Sequence, residues 1–182
     1  MFNLANKITL IRILSVPVIV FLLHFPNRIS CLFAALLFLI AAVTDLVDGE
    51  IARRRNMVTS FGKFLDPLAD KVLIGSVLIM LVQRGWAPGW VAVVIIAREL
   101  MVTGLRAAAM EKGQVIAADR FGKLKTVLQS MAVAPLTLHE PWFGIDPVPA
   151  GEIMLYIALG MTVLSGANYL YGFYRNWLPE DR

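Results

Sequence analysis

Charged residues are scarce in this sequence. Of its 182 residues 16% are charged, against about 25% in ordinary soluble domains, whereas 58% are hydrophobic. A chain of this size cannot enclose so much apolar surface in a water-soluble core. The composition therefore argues against an ordinary soluble domain and predicts an integral membrane protein.

Cysteine and histidine are also nearly absent. The single cysteine, Cys31, excludes an intrachain disulfide and a thiolate metal cluster, and its apolar surroundings predict a small buried side chain. The two histidines, His24 and His139, stand beside the Pro- and Trp-containing connections and are expected to be interfacial residues. No serine or cysteine with an adjacent histidine indicates a covalent nucleophile.

Apolar residues fall into six segments, each near the ~20 residues that a membrane-spanning helix needs. We predict an all-α membrane protein of six transmembrane helices in one domain, residues 1–182. Arg12 interrupts the apolar part of the first segment, which favours a retained span over a cleaved signal peptide. The predicted spans are 8–25, 29–51, 66–84, 88–110, 123–139 and 151–175.

Basic residues give this arrangement an orientation. If the N-terminus is cytoplasmic, 15 of the 17 Lys and Arg residues lie in cytoplasmic connections and the helix ends beside them. Only Arg28 and Arg84 lie on the outer side. The positive-inside rule therefore predicts that both termini are cytoplasmic.

Four aspartates flank the connection between the second and third segments. Asp45 and Asp48 are three residues apart, and Asp66 and Asp70 are four apart, so on helices each pair shares a face. The short connection would bring both pairs to the cytoplasmic end of the bundle. As an alternative for one of them, Asp66 could cap a helix that starts at Pro67.

Four carboxylates so close together would repel one another unless cations neutralised them. With no His or Cys nearby, their oxygens suit hard ions, and four could share two Mg²⁺ or Mn²⁺ ions. Gly49, Ala52 and Gly62 would allow close approach of a diphosphate, and Arg53 could clamp it. Arg54 and Arg55 are equally well explained as anchors at the headgroup surface.

These residues form the pattern D-x2-D-G-x2-A-R-x8-G-x3-D-x3-D, which resembles the signature of the CDP-alcohol phosphatidyltransferase family. The resemblance implies a six-helix, usually dimeric membrane enzyme that uses two divalent cations. It also implies a metal-binding and a CDP-binding set, with Asp70 as the base towards the acceptor alcohol. The metal ligands would be Asp45, Asp48, Asp66 and Asp70, and the CDP site would comprise Gly49, Ala52, Arg53, Gly62, Asn6 and Thr9. For Thr9, a helix-start residue at the interface is the competing interpretation.

A second basic group suggests which alcohol is the acceptor. Arg98, Arg106, Lys123 and Lys125 lie at the cytoplasmic ends of the fourth and fifth segments. Cations beside a metal site favour an acceptor that carries its own phosphate, and glycerol 3-phosphate fits this requirement. Glu99 follows Arg98 directly, so on a helix it is expected to be a poor partner for that arginine.

The expected reaction converts CDP-diacylglycerol and glycerol 3-phosphate into phosphatidylglycerophosphate and CMP, at the cytoplasmic face of a bacterial inner membrane. Two alternatives stay within the family: an enzyme that takes phosphatidylglycerol to make cardiolipin, and one that takes inositol phosphate. A divalent-cation transporter is the alternative from another class, because membrane carboxylates can mark an ion path. A transporter would need acids near the bilayer midplane and on both sides of it, whereas these cluster at one face.

Overall fold

The computed structural model describes the backbone of residues 4–54, 60–111 and 120–177. Side chains are described for residues 9–44, 65, 68–110 and 124–175. This part of the chain is all-helical apart from one isolated bridge between Trp142 and Ile145. The helices are α1 Leu4–His24, α2 Arg28–Arg54, α3 Ser60–Gln83, α4 Gly89–Glu111, α5 Arg120–Leu138 and α6 Val148–Trp177.

Each of the six predicted segments corresponds to a helix, but α1, α2, α3, α5 and α6 extend at least three residues beyond the predicted spans at one end. Because α3 begins at Ser60, Asp66 lies in its second turn, so the alternative interpretation of Asp66 as a helix cap is wrong. Thr9 likewise lies inside α1, which begins at Leu4, and is not a helix-start residue. Most of the predicted connection between the aspartate pairs is therefore helical.

The helices pack as a bundle in which α1 lies between α2 and α3. Within the described residues, α1 contacts both of these helices more extensively than they contact each other. On the other side, α5 packs along α6 and also touches α2 and α3, while α4 contacts α3 and α6. The shared core consists of fully buried apolar side chains, the largest of which include Phe38, Leu73, Leu81, Ile95 and Leu136.

The end of the bundle formed by residues 24–28, 83–89 and 138–148 is held together by side chains. Arg84 donates hydrogen bonds to the carbonyl oxygens of Leu23, at 2.9 Å, and of His24, both in the last turn of α1. Arg28 donates to the carbonyl oxygen of Pro141 at 2.9 Å. These two arginines, predicted to lie on the outer side, thus have structural partners.

Aromatic contacts join the same loops. The rings of Trp86 and His139 stack with centroids 3.8 Å apart, and the Arg28 guanidinium lies 4.5 Å from the ring centre of Trp142. His24 and His139 both stand at this end, away from the predicted aspartate site. Their placement agrees with a structural role.

One helix in the described part, α6, is long and apolar enough to cross a membrane by length and composition, over Val148–Arg175. Two shorter apolar helical stretches, Thr9–His24 and Arg28–Thr44, accompany it. The all-α prediction is confirmed for the described residues. Six membrane spans and cytoplasmic termini stay predictions.

Candidate active site

A cavity opens between α3, α4 and α5 beside Asp70. Asp70 and its neighbour Lys71 lie on α3, and both side chains are half-buried. The opposite walls come from α4 and α5. The lining includes Asp70, Lys71, Gly75, Ile95, Glu99 and Gln129. The cavity is apolar towards its interior and polar near Asp70, Lys71 and Glu99, which is suitable for a ligand with one charged end.

The Glu99 carboxylate forms ion pairs with two cations. Arg98 Nη1 donates to Glu99 Oε1 at 3.0 Å, and Lys125 Nζ on α5 donates to the same oxygen. The prediction that Glu99 is a poor partner for Arg98 is wrong. Neighbouring side chains leave a helix in different directions, but these two are long enough for their charged groups to meet. Sequence spacing alone missed this contact.

A hydrogen-bonded chain continues from this ion pair into α6. Arg98 Nη2 donates to Ser165 Oγ at 3.0 Å, and Ser165 Oγ donates to the carbonyl oxygen of Thr162 at 3.2 Å. Gln129 Nε2 on α5 donates to Thr162 Oγ1 at 3.1 Å. Ser165, Thr162 and Gln129 are buried. Their only signal in the sequence is that they are polar residues inside apolar runs.

On α1, Arg12 is a buried cation that the predicted site did not include. Its side chain is 4% exposed, and its Nε donates to the carbonyl oxygen of Ala41 on α2 at 3.2 Å. Its charge acts on the Asp70 carboxylate, as do the charges of Lys71 and Lys125. Arg12 therefore links α1 and α2 to the electrostatics of the cavity. In the sequence, the feature that could have indicated this role is that Arg12 interrupts an apolar run.

The predicted acceptor cations do come together where the structure describes them. Lys71 is within electrostatic range of Arg98 and Arg106, and Lys125 is within range of Arg98 and Asp70. The Arg106 guanidinium lies 5.9 Å from the ring centre of Tyr169 on α6. The structure thus gathers positive charge from α3, α4 and α5 near two carboxylates, those of Asp70 and Glu99.

Several predicted site residues lie outside the described side chains. By backbone, Asp45 and Asp48 belong to the C-terminal part of α2, and Asp66 belongs to α3 with Asp70. Among the described side chains, no group of three His, Cys, Asp or Glu residues could hold a metal ion, and Asp70 is the one predicted ligand within that set. The other residues outside it are Asn6, Gly49, Ala52, Arg53, Gly62 and Lys123.

The donor set nevertheless fits hard divalent cations in its chemistry. All four predicted ligands are carboxylates, and those on each helix are three or four residues apart, as ligands on one helical face must be. Among the described residues neither histidine lies at this end of the bundle, and Cys31 is buried in α2 near its start. The predicted ligands therefore include no thiolate and no imidazole, the groups that softer metal ions prefer.

The described part of the chain is a helical bundle with a polar, charged cavity, and comparison with known proteins shows the family to which it belongs. Residues 2–164 match the family described as CDP-alcohol phosphatidyltransferase, and the chain belongs to that family. Members of the family generally use divalent cations.

Individual relatives are similar along most of their length. The CDP-diacylglycerol–glycerol-3-phosphate 3-phosphatidyltransferase of Bacillus subtilis is 45% identical over 97% of this chain and 96% of its own length. The protein of the same name from Escherichia coli is 38% identical over 93% of both chains. A probable phosphatidylglycerophosphate synthase of Mycobacterium tuberculosis is 42% identical over 92% of this chain and 80% of its own length.

Proposed function

We propose that this protein transfers the phosphatidyl group of CDP-diacylglycerol to glycerol 3-phosphate, forming phosphatidylglycerophosphate and CMP. The names of relatives at 38–45% identity support this reaction. The structural observation that carries it is the convergence of cations from α3, α4 and α5 beside the cavity that contains Asp70. Such a site suits an acceptor alcohol that itself bears a phosphate.

Asp70 is the proposed base. Its carboxylate faces the cavity, where it can accept the proton of the acceptor's primary hydroxyl. Burial disfavours the charged form of this carboxylate, and the nearby charges of Lys71, Lys125 and Arg12 favour it. The hydroxyl oxygen then bonds to the lipid-side phosphorus while the bond from that phosphorus to CMP breaks. Both substrates are present together, so the step needs no covalent enzyme intermediate.

Asp45, Asp48, Asp66 and Asp70 would hold two divalent cations, Mg²⁺ or Mn²⁺. When bound, these ions neutralise the diphosphate and the charge that develops on the leaving CMP. Gly49, Ala52, Arg53 and Gly62 would line the CDP site from α2 and α3. At its edge would lie Asn6 and Thr9; Thr9 is buried on α1, one turn before Arg12.

Arg98, Arg106, Lys123 and Lys125 form the proposed acceptor site. Glu99 gives two of these cations a fixed position, because Arg98 and Lys125 both donate to its Oε1 atom. Fixed cations reduce the side-chain entropy lost when a phosphate binds. Glu99 is thus a positioning residue in this proposal.

The surface of the bundle supports placement in a membrane. Large apolar side chains are exposed along all six helices, where water would be an unfavourable neighbour and lipid a favourable one. Examples are Phe21, Phe33, Ile79, Val93 and Leu164, each at least half exposed. We propose six spans in the bacterial inner membrane, with both termini and the active site at the cytoplasmic face, and a homodimeric assembly.

The acceptor is tested by supplying the purified protein with CDP-diacylglycerol, Mg²⁺ and one radiolabelled acceptor at a time. We expect label from glycerol 3-phosphate to enter the lipid fraction. Strong turnover of inositol phosphate, or of phosphatidylglycerol, with none of glycerol 3-phosphate would assign the protein to another branch of the family. Uptake of Mn²⁺ into proteoliposomes without any lipid synthesis would support the transporter alternative instead.

A further inference from the structure

Gln129 is a buried polar side chain to which the proposed reaction gives no role. It lies on α5, it is 2% exposed, and it lines the cavity together with Asp70. A buried amide is unfavourable unless its hydrogen-bonding atoms have partners. An atom of this amide without a partner in the protein is therefore expected to meet a ligand or water in the cavity.

The orientation of the Gln129 amide is fixed by Thr162 on α6. Thr162 Oγ1 donates its only proton to the carbonyl oxygen of Ala158, one turn earlier on the same helix, at 2.6 Å. Towards Gln129, 3.1 Å away, this hydroxyl can therefore only accept, so the amide atom that faces it is the nitrogen Nε2. The amide oxygen, Oε1, consequently lies on the side away from Thr162.

Oε1 of Gln129 is free to accept a hydrogen bond. It has no partner in the part of the chain that the structure describes, and protein atoms do not enclose it completely, so it is open to the cavity. An amide oxygen accepts and cannot donate. The diphosphate and the acyl esters of CDP-diacylglycerol offer it no proton, and the proposed CDP residues lie on α1, α2 and α3. A hydroxyl group of the acceptor fits this atom.

The other oxygens on the described walls of the cavity belong to carboxylates with different roles. Asp70 is the proposed base, and Glu99 Oε1 already accepts hydrogen bonds from Arg98 and Lys125. The amide of Gln129 is neutral and does not take up a proton, so it can hold a hydroxyl without activating it. A hydroxyl bound to Gln129 is thus not the one that attacks phosphorus.

We infer that Gln129 Oε1 accepts a hydrogen bond from the acceptor hydroxyl next to the reacting one. In glycerol 3-phosphate this is the secondary hydroxyl, adjacent to the primary hydroxyl that Asp70 deprotonates in the proposed reaction. Gln129 on α5 and Asp70 on α3 line one cavity from different walls, so the two contacts together orient a diol. The inference rests on the proposed function and makes Gln129 a specificity-determining residue for a 1,2-diol.

The test compares two acceptors, glycerol 3-phosphate and 3-hydroxypropyl phosphate. The second keeps the primary hydroxyl and the phosphate and lacks only the secondary hydroxyl. We expect the kcat/KM of the wild type to be about tenfold higher for glycerol 3-phosphate, because the analogue leaves the buried amide oxygen unpaired. In Gln129→Met, which has a side chain of similar length without an amide, the two values should agree within about twofold.

The ratio of the two kcat/KM values separates substrate recognition from a structural role. If Gln129 only supported the fold, its replacement would lower both values by the same factor and leave their ratio unchanged. Thr162→Val removes the hydroxyl that orients the amide, so its ratio should lie between those of Gln129→Met and the wild type. Ser130→Ala is the matched control with the wild-type ratio, because Ser130 Oγ donates within α5, to the carbonyl oxygen of Thr126 at 3.1 Å.

Each failure has its own signature. A wild type that uses both acceptors equally well would overturn the inference and leave the proposed transfer reaction intact. The wild-type ratio retained in folded Gln129→Met, or in Thr162→Val where Gln129→Met does not fold, would also overturn the inference. Turnover of neither acceptor in the presence of CDP-diacylglycerol and Mg²⁺ would overturn the proposed function, and the inference with it.

Discussion

The most demanding prediction concerns Glu99, which neutralises two buried cations. The side chains of Arg98 and Lys125 are 10% and 6% exposed, and that of Glu99 is 16% exposed. Glu99→Ala would leave both cations facing each other without an anion between them. Removing one partner of a buried ion pair typically costs about 3–5 kcal/mol, because the remaining charge stays buried and unpaired.

This energy corresponds to a large change in melting temperature. For a chain of this size 1 kcal/mol shifts Tm by roughly 2–4 °C, so a loss of about 3 kcal/mol lowers Tm by ~6–12 °C. Glu99→Gln keeps an oxygen that accepts hydrogen bonds and removes only the charge. We therefore expect its Tm to lie between those of Glu99→Ala and the wild type.

Thermal unfolding of the purified variants in one detergent measures this effect. Glu152→Ala is the control, because Glu152 is exposed near the start of α6, at the other end of the bundle. The double variant Glu99→Ala with Lys125→Met should recover part of the lost Tm, since it also removes one of the stranded cations. Strictly additive losses, or a Glu99→Ala variant as stable as the control, would refute the proposed network.

Two further predictions use glycines at helix contacts. Gly151→Ala should destabilise the protein by about 1–3 kcal/mol, because the new Cβ would stand 2.7 Å from Leu136 Cγ on α5. The matched control is Gly160→Ala, whose new Cβ would have no atom within 4 Å, so its Tm should be unchanged or higher. Equal Tm values for these two variants would contradict the close α5–α6 contact. Gly166→Ala should displace Arg98, because the new Cβ would stand 3.0 Å from Arg98 Cγ. We expect KM for glycerol 3-phosphate to rise about fivefold, roughly 1 kcal/mol; an unchanged KM would show that Arg98 does not need the space beside Gly166.

The helices could be predicted from the sequence because apolar runs of spanning length are rare outside membrane or core helices. The residues at which the helices begin and end could not be predicted in this way. Charged residues such as Arg53 and Lys63 ended the apolar pattern, yet the backbone stays helical through both positions. Hydropathy reports the surroundings of a helix, whereas its ends depend on backbone hydrogen bonds and caps.

Part of the site could also be predicted, because its charged residues interrupt apolar segments. Asp70 and Arg98 stood out because charges are expensive inside apolar segments. Lys125 stood out as part of a basic group at the cytoplasmic ends of the fourth and fifth segments. Glu99 was misjudged because helix spacing describes Cβ directions and not the reach of long side chains. Tyr169 lies in an aromatic run near the end of α6, and its contact with Arg106 depends on how α4 and α6 meet, which spacing within one helix does not encode.

The central claim, that Asp70 serves transfer to glycerol 3-phosphate, is tested most directly by CMP release from CDP-diacylglycerol in detergent. Wild type should release CMP only when glycerol 3-phosphate and Mg²⁺ are both present. Asp70→Asn should lose activity by a factor of about 10² or more while its thermal unfolding still shows a folded protein. CMP release by Asp70→Asn at the wild-type rate would contradict the account.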